Sequence, residues 1–152
     1  MTTVVWRGLE EPRMEIARVE VDGADLRATG TQIGVAYELH YELEPGALRV
    51  EIVGGRRLDV ALDGLDFFDL GHSPLFNSLP VLRDGLISAG GKRDYVMRWV
   101  SVPELELHES PQRYEPMGGS AIRFSSESFV AELQFDEDGF VRRYEGLAER
   151  VA

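Results

Sequence analysis

The feature that most constrains this chain is an alternation of apolar and polar residues that recurs along most of its length. Tyr37, Leu39, Tyr41 and Leu43 alternate with polar residues, and similar alternation recurs in 48–52, 58–62 and 129–135. Successive side chains of a β-strand point to opposite faces. The pattern therefore predicts strands with one buried and one solvated face, which is typical of antiparallel sheets.

Turn-forming pairs such as Asp22-Gly23 and Asp138-Gly139 separate the alternating segments. We predict an antiparallel meander of about ten or eleven strands, because some of the candidate segments will merge or fail. These segments lie near 4–8, 13–21, 25–32, 35–43, 47–53, 56–62, 79–88, 93–101, 104–109, 112–116, 120–125, 129–135 and 140–144. Helical signal is weak: we expect one turn at 73–77 and a short C-terminal helix at 145–151.

The length of 152 residues predicts one domain, 1–152, with one core. A long antiparallel sheet with one apolar face must hide that face, and little helix is available to cover it. The fold class is therefore mainly β, with the sheet curled into a barrel, half-barrel or sandwich. Large residues fall on the inward phase of the strands, so the interior is either packed or forms a cavity for an apolar ligand.

Composition excludes several functions. The formal net charge is -11, which disfavours nucleic-acid partners because their binding depends on basic residues that neutralise phosphates. The chain contains no cysteine, which excludes disulfides and thiol catalysis. The N-terminus lacks the pattern of a secretory signal, and no stretch approaches the roughly 20 apolar residues that span a bilayer. We expect a cytoplasmic protein with no integral membrane association.

The irregular run 62–82 carries the residues most suggestive of catalysis. Asp66, Asp69 and His72 lie near Arg83 in sequence and form the best constellation for general acid/base chemistry. Ser73 lacks a nucleophile elbow and precedes a proline, so we interpret it as a turn or cap residue. No metal-ligand spacing or phosphate-binding loop occurs, so we expect no metal and no cofactor. We do not expect an enzyme.

The run LDGLDFFDLGHSPLFNSLPVLRDGL resembles the signature of the putative glycolipid-binding family, a group of bacterial proteins. The positions that carry this resemblance are Phe67, Asp69, Leu70, Pro74, Asn77, Ser78, Leu79, Pro80, Val81 and Arg83. Further similarity lies in VMRWVSVPELEL, in Gln112-Arg113-Tyr114, and in the closing segment FVAELQFDEDGFVRRYEGLAERV, with its Asp136, Gly139 and Tyr144. At the N-terminus, Trp6 and Glu15 also match.

The resemblance implies a curved antiparallel sheet forming a half-open barrel, with one or two short helices, and a lipid or glycolipid as partner. We assign structural roles to the recurring residues of the motifs, namely Asp69, Pro74, Asn77, Pro80, Gln112, Tyr114, Asp136, Gly139 and Tyr144. We interpret 62–82 as the crossover between the two halves of the sheet. Asp69 and Asn77 are predicted to bond backbone groups within or beside it.

Our leading hypothesis is that the concave face holds an apolar ligand. Its predicted lining is aromatic: Tyr37, Tyr41, Trp99, Phe124 and Phe129. Asn77 and Arg83 are the predicted head-group contacts, because Arg pairs with phosphate or carboxylate and Asn both donates and accepts. The alternative is a filled core in a structural or protein-interaction domain. Exposed sheet edges allow pairing, so we expect a monomer or a homodimer.

Overall fold

The structure is a computed structural model that describes residues 1–23 and 25–152. Its described residues form one thirteen-stranded sheet. The first six strands are β1 (Thr2–Gly8), β2 (Met14–Asp22), β3 (Asp25–Ile33), β4 (Glu38–Glu44), β5 (Ala47–Ile52) and β6 (Arg57–Ala61). The others are β7 (Phe67–Leu70), β8 (Arg93–Val100), β9 (Leu107–Pro116), β10 (Ala121–Ser126), β11 (Phe129–Phe135), β12 (Val141–Tyr144) and β13 (Ala148–Arg150).

The strand order is β6-β5-β4-β3-β2-β1-β13-β12-β11-β10-β9-β8-β7. Two meanders therefore meet where β1 pairs with β13, with Trp6 opposite Arg150. Strands β6 and β7 form the two edges of the sheet. After β7, the crossover leads to β8 through a 3₁₀ turn, Pro74–Asn77, followed by α1 (Ser78–Asp84) and α2 (Leu86–Ala89).

The sheet curls until residues from its two ends share one core. Val60 of β6 belongs to the same buried cluster as Leu70 of β7 and Val100 of β8, although β6 lies at one edge of the sheet and β7 and β8 at the other. The edge strands are nevertheless not hydrogen-bonded neighbours within the described residues, so the sheet is not closed into a barrel. The predicted mainly β, half-open barrel is confirmed.

The alternating pattern sets which face of each strand is buried. In β4, Leu39, Tyr41 and Leu43 are buried, whereas Glu38 and the residues between them are exposed. All neighbouring strand pairs among the described residues are antiparallel except β7 with β8, which is parallel. Strand β7 was not predicted from the irregular run, because a strand of only four residues shows no clear alternation.

The strand predicted at 79–88 is wrong, because this segment forms α1 and α2. Pro80 lies in the first turn of α1, where its missing N–H costs no intrahelical bond. Gly85 adopts the left-handed conformation, with φ 59°, and ends that helix. Leu79, Val81 and Leu86 pack into the core, so burial of the helices decides the conformation of this segment.

Three further expectations are corrected. The sheet has thirteen strands, more than the ten or eleven predicted. The C-terminal helix predicted at 145–151 is wrong, because β13 forms there and pairs with both β1 and β12. Without β13, those two strands would each leave backbone groups unpaired, and this tertiary pairing overrides local helix preference. The segments predicted at 104–109 and 112–116 merge into β9. None of the helices in the described chain is long and apolar enough to cross a bilayer.

Candidate ligand-binding site

A cleft of about 840 Å³ opens on the inner face of the C-terminal half of the sheet. Its walls come from the end of β7 and the following crossover, from β8 and β9, from the β10–β11 hairpin and from the turn after β12. Most clefts that hold small ligands have volumes of roughly 300–1,000 Å³, so this one has an ordinary size for such a ligand.

The strand phase explains why polar side chains reach this cleft. In β9, Ser110 and Gln112 point to the same inward face as the buried Tyr114. In β10, Ser126 points to the same inward face as the buried Phe124. Residues two apart on a strand point to the same face. The inward face thus continues from a packed core into the cleft, where its side chains become small and polar.

Three aromatic rings form one wall of the cleft, which we call the aromatic wall: Phe124, Phe129 and Tyr144. The ring centroids lie 6.1 Å apart for Phe124 and Phe129, 6.2 Å for Phe124 and Tyr144, and 6.4 Å for Phe129 and Tyr144. Phe124 and Tyr144 are buried, but Phe129 is 49% exposed. A half-exposed phenyl ring beside a cleft leaves apolar surface that a ligand can cover.

Trp99 also lines the cleft, on the strand next to Asp69. Its indole is half-buried and lies 4.8 Å, centroid to centroid, from the imidazole of His108. The two residues face each other in the β8–β9 register. This contact holds the indole in place and presents a flat apolar surface to the cleft.

A group of hydrogen-bonding side chains, which we call the polar floor, consists of Asp69, Asn77 and Gln112. Gln112 Nε2 donates to Asp69 Oδ2 at 2.8 Å, and Asn77 Nδ2 donates to Tyr114 Oη at 2.9 Å. Asn77 and Gln112 are buried and Asp69 is half-buried. These amides and this carboxylate offer both donors and acceptors to a polar group.

Burial raises the pKa of Asp69 to about 6, although the hydrogen bonds from Gln112 and from the Leu70 backbone oppose the shift. Burial also raises the pKa of Tyr114 well above its ordinary value, and the charge of Asp69 adds to this shift. Tyr114 therefore remains a neutral phenol that accepts from Asn77. A perturbed carboxyl group in a cleft is typical of functional sites.

The predicted backbone contacts of the polar floor are only partly found. Asp69 interacts with the backbone of Leu70, as predicted, but its side-chain partner is Gln112. The prediction for Asn77 is wrong, because its amide donates to the Tyr114 side chain. The physical reason is that β9 lies beside the crossover and presents polar side chains there, a proximity that the linear sequence does not reveal.

A buried carboxylate network next to the cleft was missed by sequence reasoning. Glu15 accepts hydrogen bonds from Gln32 Nε2 at 3.0 Å, Tyr41 Oη at 2.9 Å and Ser73 Oγ at 2.6 Å. Burial raises the pKa of Glu15, and these bonds oppose the shift. One signal in the sequence could have revealed this network. In the alternation of β2 and β3, Glu15 and Gln32 occupy inward positions, where apolar residues are expected. The network attaches the crossover to the N-terminal meander.

Of the predicted ligand contacts, Asn77, Trp99, Phe124 and Phe129 line the cleft. Three others lie elsewhere. Tyr41 is buried, with its ring against Phe76 and its hydroxyl on Glu15. Tyr37 is half-buried and contacts Gln32 and Arg13, and Arg83 is exposed on α1. The inward phase alone does not separate positions in the packed core from positions in the cleft.

Arg83 has local partners instead of a ligand site. Its guanidinium bonds Asp84 and lies 4.2 Å above the centroid of the Phe67 ring.

Ser73 and His72 line the cleft, but the Ser73 hydroxyl donates to Glu15, and Asp66 accepts from the Val96 N–H. Of the residues considered for acid/base chemistry, Asp69 and His72 thus line the cleft, whereas Asp66 and Arg83 lie outside it. Within the described residues, no group of His, Asp and Glu is arranged to hold a metal ion.

The other motif residues have structural surroundings. Pro74 begins the 3₁₀ turn, and Pro80 lies in the first turn of α1. Asp136 Oδ1 accepts from the N–H groups of Asp138 and Phe140, and Gly139 has φ 93°, so this segment is a hairpin turn. Only glycine adopts such a backbone conformation without strain.

Comparison with known proteins gives two findings. Residues 52–150 match the family model described as putative glycolipid-binding. A crystal structure of a DUF1089 family protein from Pseudomonas aeruginosa matches with a TM-score of 0.72 and 21% identity, over 96% of this chain and 95% of that chain. At this identity the likeness shows the fold alone. No curated protein matches the chain.

Proposed function

The chain belongs to the putative glycolipid-binding family, and on that basis we propose that it is a binding protein that holds an amphiphilic lipid or glycolipid in the cleft. The apolar chain of the ligand lies against the aromatic wall. Its polar head group meets the polar floor.

The observation that carries this proposal is the division of the cleft into two chemically different parts. Phe129 leaves half of its surface uncovered beside the buried rings of the aromatic wall. Covering apolar surface stabilises a complex by about 25 cal/mol per Å². Asp69 and the amides of Asn77 and Gln112 provide directional partners that would orient a hydroxyl-bearing head group.

We propose binding without catalysis. The carboxyl group of Asp69 has its nearest described partner in Gln112, and the hydroxyl of Ser73, the serine next to His72, is bonded to the buried Glu15. A serine nucleophile requires a base that is free to take up its proton. Glu15 accepts from Ser73, Tyr41 and Gln32 at once, and this network supports a tethering role for Ser73.

The experiment measures binding of octyl glucoside to the purified, delipidated protein by calorimetry, below the critical micelle concentration. Phe129→Ala is expected to weaken binding about tenfold, because the ligand loses its apolar contact with the aromatic wall. Val130→Ala is the matched control. Val130 is 59% exposed on the neighbouring position of β11, and it points to the opposite face.

Native mass spectrometry before delipidation tests whether a lipid is carried from the cell. A mass increment that disappears on delipidation supports the proposal. Absence of any increment together with no uptake of octyl glucoside would show that the cleft is not a lipid site. Equal effects of Phe129→Ala and Val130→Ala would place the binding outside the aromatic wall.

A further inference from the structure

The cleft differs from the rest of the molecule in the charges that line it. The carboxylate of Asp69 lies at its floor, and exposed carboxylates surround it: Glu10, Glu104, Glu109, Glu127 and Glu145. Among the residues that the structure describes, no lysine or arginine lines this cleft, although the chain contains 16 such residues. Arg83, which the sequence suggested as an anion-binding group, lies outside it.

None of these six carboxylates forms an ion pair within the described residues, although the Arg56 guanidinium donates to the backbone carbonyl of Glu104 at 3.4 Å. The ion pairs of the described residues involve other acidic side chains, such as Glu149 with Arg7 and Arg143, or Asp94 with Arg113. The negative potential of a cleft lined by one sign of charge is stronger than that of a flat surface, because the low-dielectric walls focus the field. An anionic head group would be repelled there.

Aromatic faces add to this preference. Trp99 and Asp69 are partners in the parallel β7–β8 register, so the indole and the carboxylate project side by side from the same face. On the other side of the cleft, the aromatic wall presents the half-exposed ring of Phe129. Cations are attracted to the faces of aromatic rings, most strongly to that of tryptophan.

We propose that the cleft selects amphiphiles whose head group carries a protonated amine. The ammonium lies between the Trp99 indole and the Asp69 carboxylate, and the alkyl chain lies along the aromatic wall. This inference rests on the proposed function, and it names the class of head group. The amine is supplied either by an amino sugar or by a simple alkylamine, which present the same charge to the site.

The test compares probes that share one alkyl chain and differ in the charge of the head group. Octylamine, octyl glucoside, an octyl glycoside of glucosamine and octyl phosphate are titrated by calorimetry at low ionic strength, each below its critical micelle concentration. Both amines are expected to bind about tenfold more tightly than octyl glucoside. Octyl phosphate is expected to show no binding. Added salt should weaken the binding of the amines and leave that of octyl glucoside unchanged.

Asp69→Asn tests the carboxylate directly. It should weaken the binding of octylamine about tenfold and that of octyl glucoside by a clearly smaller factor, because asparagine removes the charge but keeps a hydrogen-bonding group at the same position. Asp59→Asn is the matched control, because Asp59 is an exposed residue of β6 outside the cleft and undergoes the same chemical change. Glu127→Gln provides a second variant on an exposed hairpin turn if Asp69→Asn fails to fold, with a smaller loss confined to the amines.

The outcomes separate this inference from the proposed function. If octyl glucoside binds as tightly as the amines, or if Asp69→Asn weakens both equally, the preference for an amine is overturned and lipid binding stands. If none of the probes binds, the proposed function fails and the inference fails with it. Stronger binding of the glucosamine glycoside than of octylamine identifies an amino sugar as the source of the charge, and the reverse order identifies an alkylamine.

Discussion

Gln112 Nε2 donates a hydrogen bond to Asp69 Oδ2 at 2.8 Å, across 43 residues of sequence. The contact joins β9 to β7, which are separated in the sheet by β8. It orients one oxygen of the carboxyl group at the floor of the cleft. A carboxyl group held in this way, half-buried and without a cationic partner in the described chain, makes stability dependent on pH.

Asp69→Asn is expected to stabilise the protein at neutral pH. Burial raises the folded-state pKa of Asp69 from 3.8 to about 6, so the native state binds this proton more tightly than the unfolded state. The contribution of Asp69 to the free energy of unfolding therefore falls as pH rises from about 4 to about 6. The variant cannot ionise, so its advantage should be near zero at pH 4 and about 1–2 kcal/mol at pH 7.

Urea unfolding of both proteins at a series of pH values measures this difference. Subtracting the two curves removes the contribution of Glu15, whose pKa burial also raises. A variant less stable than the wild type at pH 7 would mean that the ionised carboxylate stabilises the fold, contrary to the direction of the shift.

Ser73→Ala tests the tether between the crossover and the N-terminal meander. The variant removes one of the donors to the buried Glu15 carboxylate, 2.6 Å away, and should lower the free energy of unfolding by about 1–3 kcal/mol. Amide hydrogen exchange of 71–73 should quicken at the same time. Ser88→Ala is the control, because the Ser88 hydroxyl is exposed on α2 and should change stability by less than about 0.5 kcal/mol. Equal losses in both variants would argue against the tether.

Gly30→Ala is expected to destabilise the sheet strongly. A Cβ atom at Gly30 would lie 2.2 Å from the ring Cζ of Tyr41, its partner in the β3–β4 register. Tyr41 is buried and its hydroxyl is bonded to Glu15, so the ring has little freedom to move away. Overpacking of this kind costs about 1–3 kcal/mol, and thermal unfolding measures it. Gly55→Ala, in an exposed turn, should have a much smaller effect.

Arg83→Ala should leave ligand binding unchanged. The guanidinium contacts Asp84 and the Phe67 ring outside the cleft, and it is exposed. Loss of these contacts is expected to lower stability by at most about 1 kcal/mol. The affinity for octyl glucoside, measured by calorimetry, should stay within about twofold of the wild-type value. A large loss of affinity would show that Arg83 contributes to ligand binding.

The sequence alone was sufficient for the fold class and for most of the strands. Alternation in segments such as 37–43 and 129–135 reports which face of each strand is buried, because side chains alternate regardless of what the strand pairs with. The same reasoning failed at 79–88, where buried leucines fit either a strand or a helix. It also failed at 148–150. This segment has a local preference for helix, but it forms a strand because β1 and β12 both offer unpaired backbone groups beside it.

The candidate site was only partly accessible from sequence. Asn77, Trp99, Phe124 and Phe129 could be named from residue type and phase, and all four line the cleft. Tyr41 has the same type and phase, yet it lies in the packed core against Phe76. The difference arises because curling brings some inward positions against other elements and leaves others open. That curvature, like the meeting of Asp69 with Gln112, depends on strands far apart in sequence, and only the tertiary structure decides it.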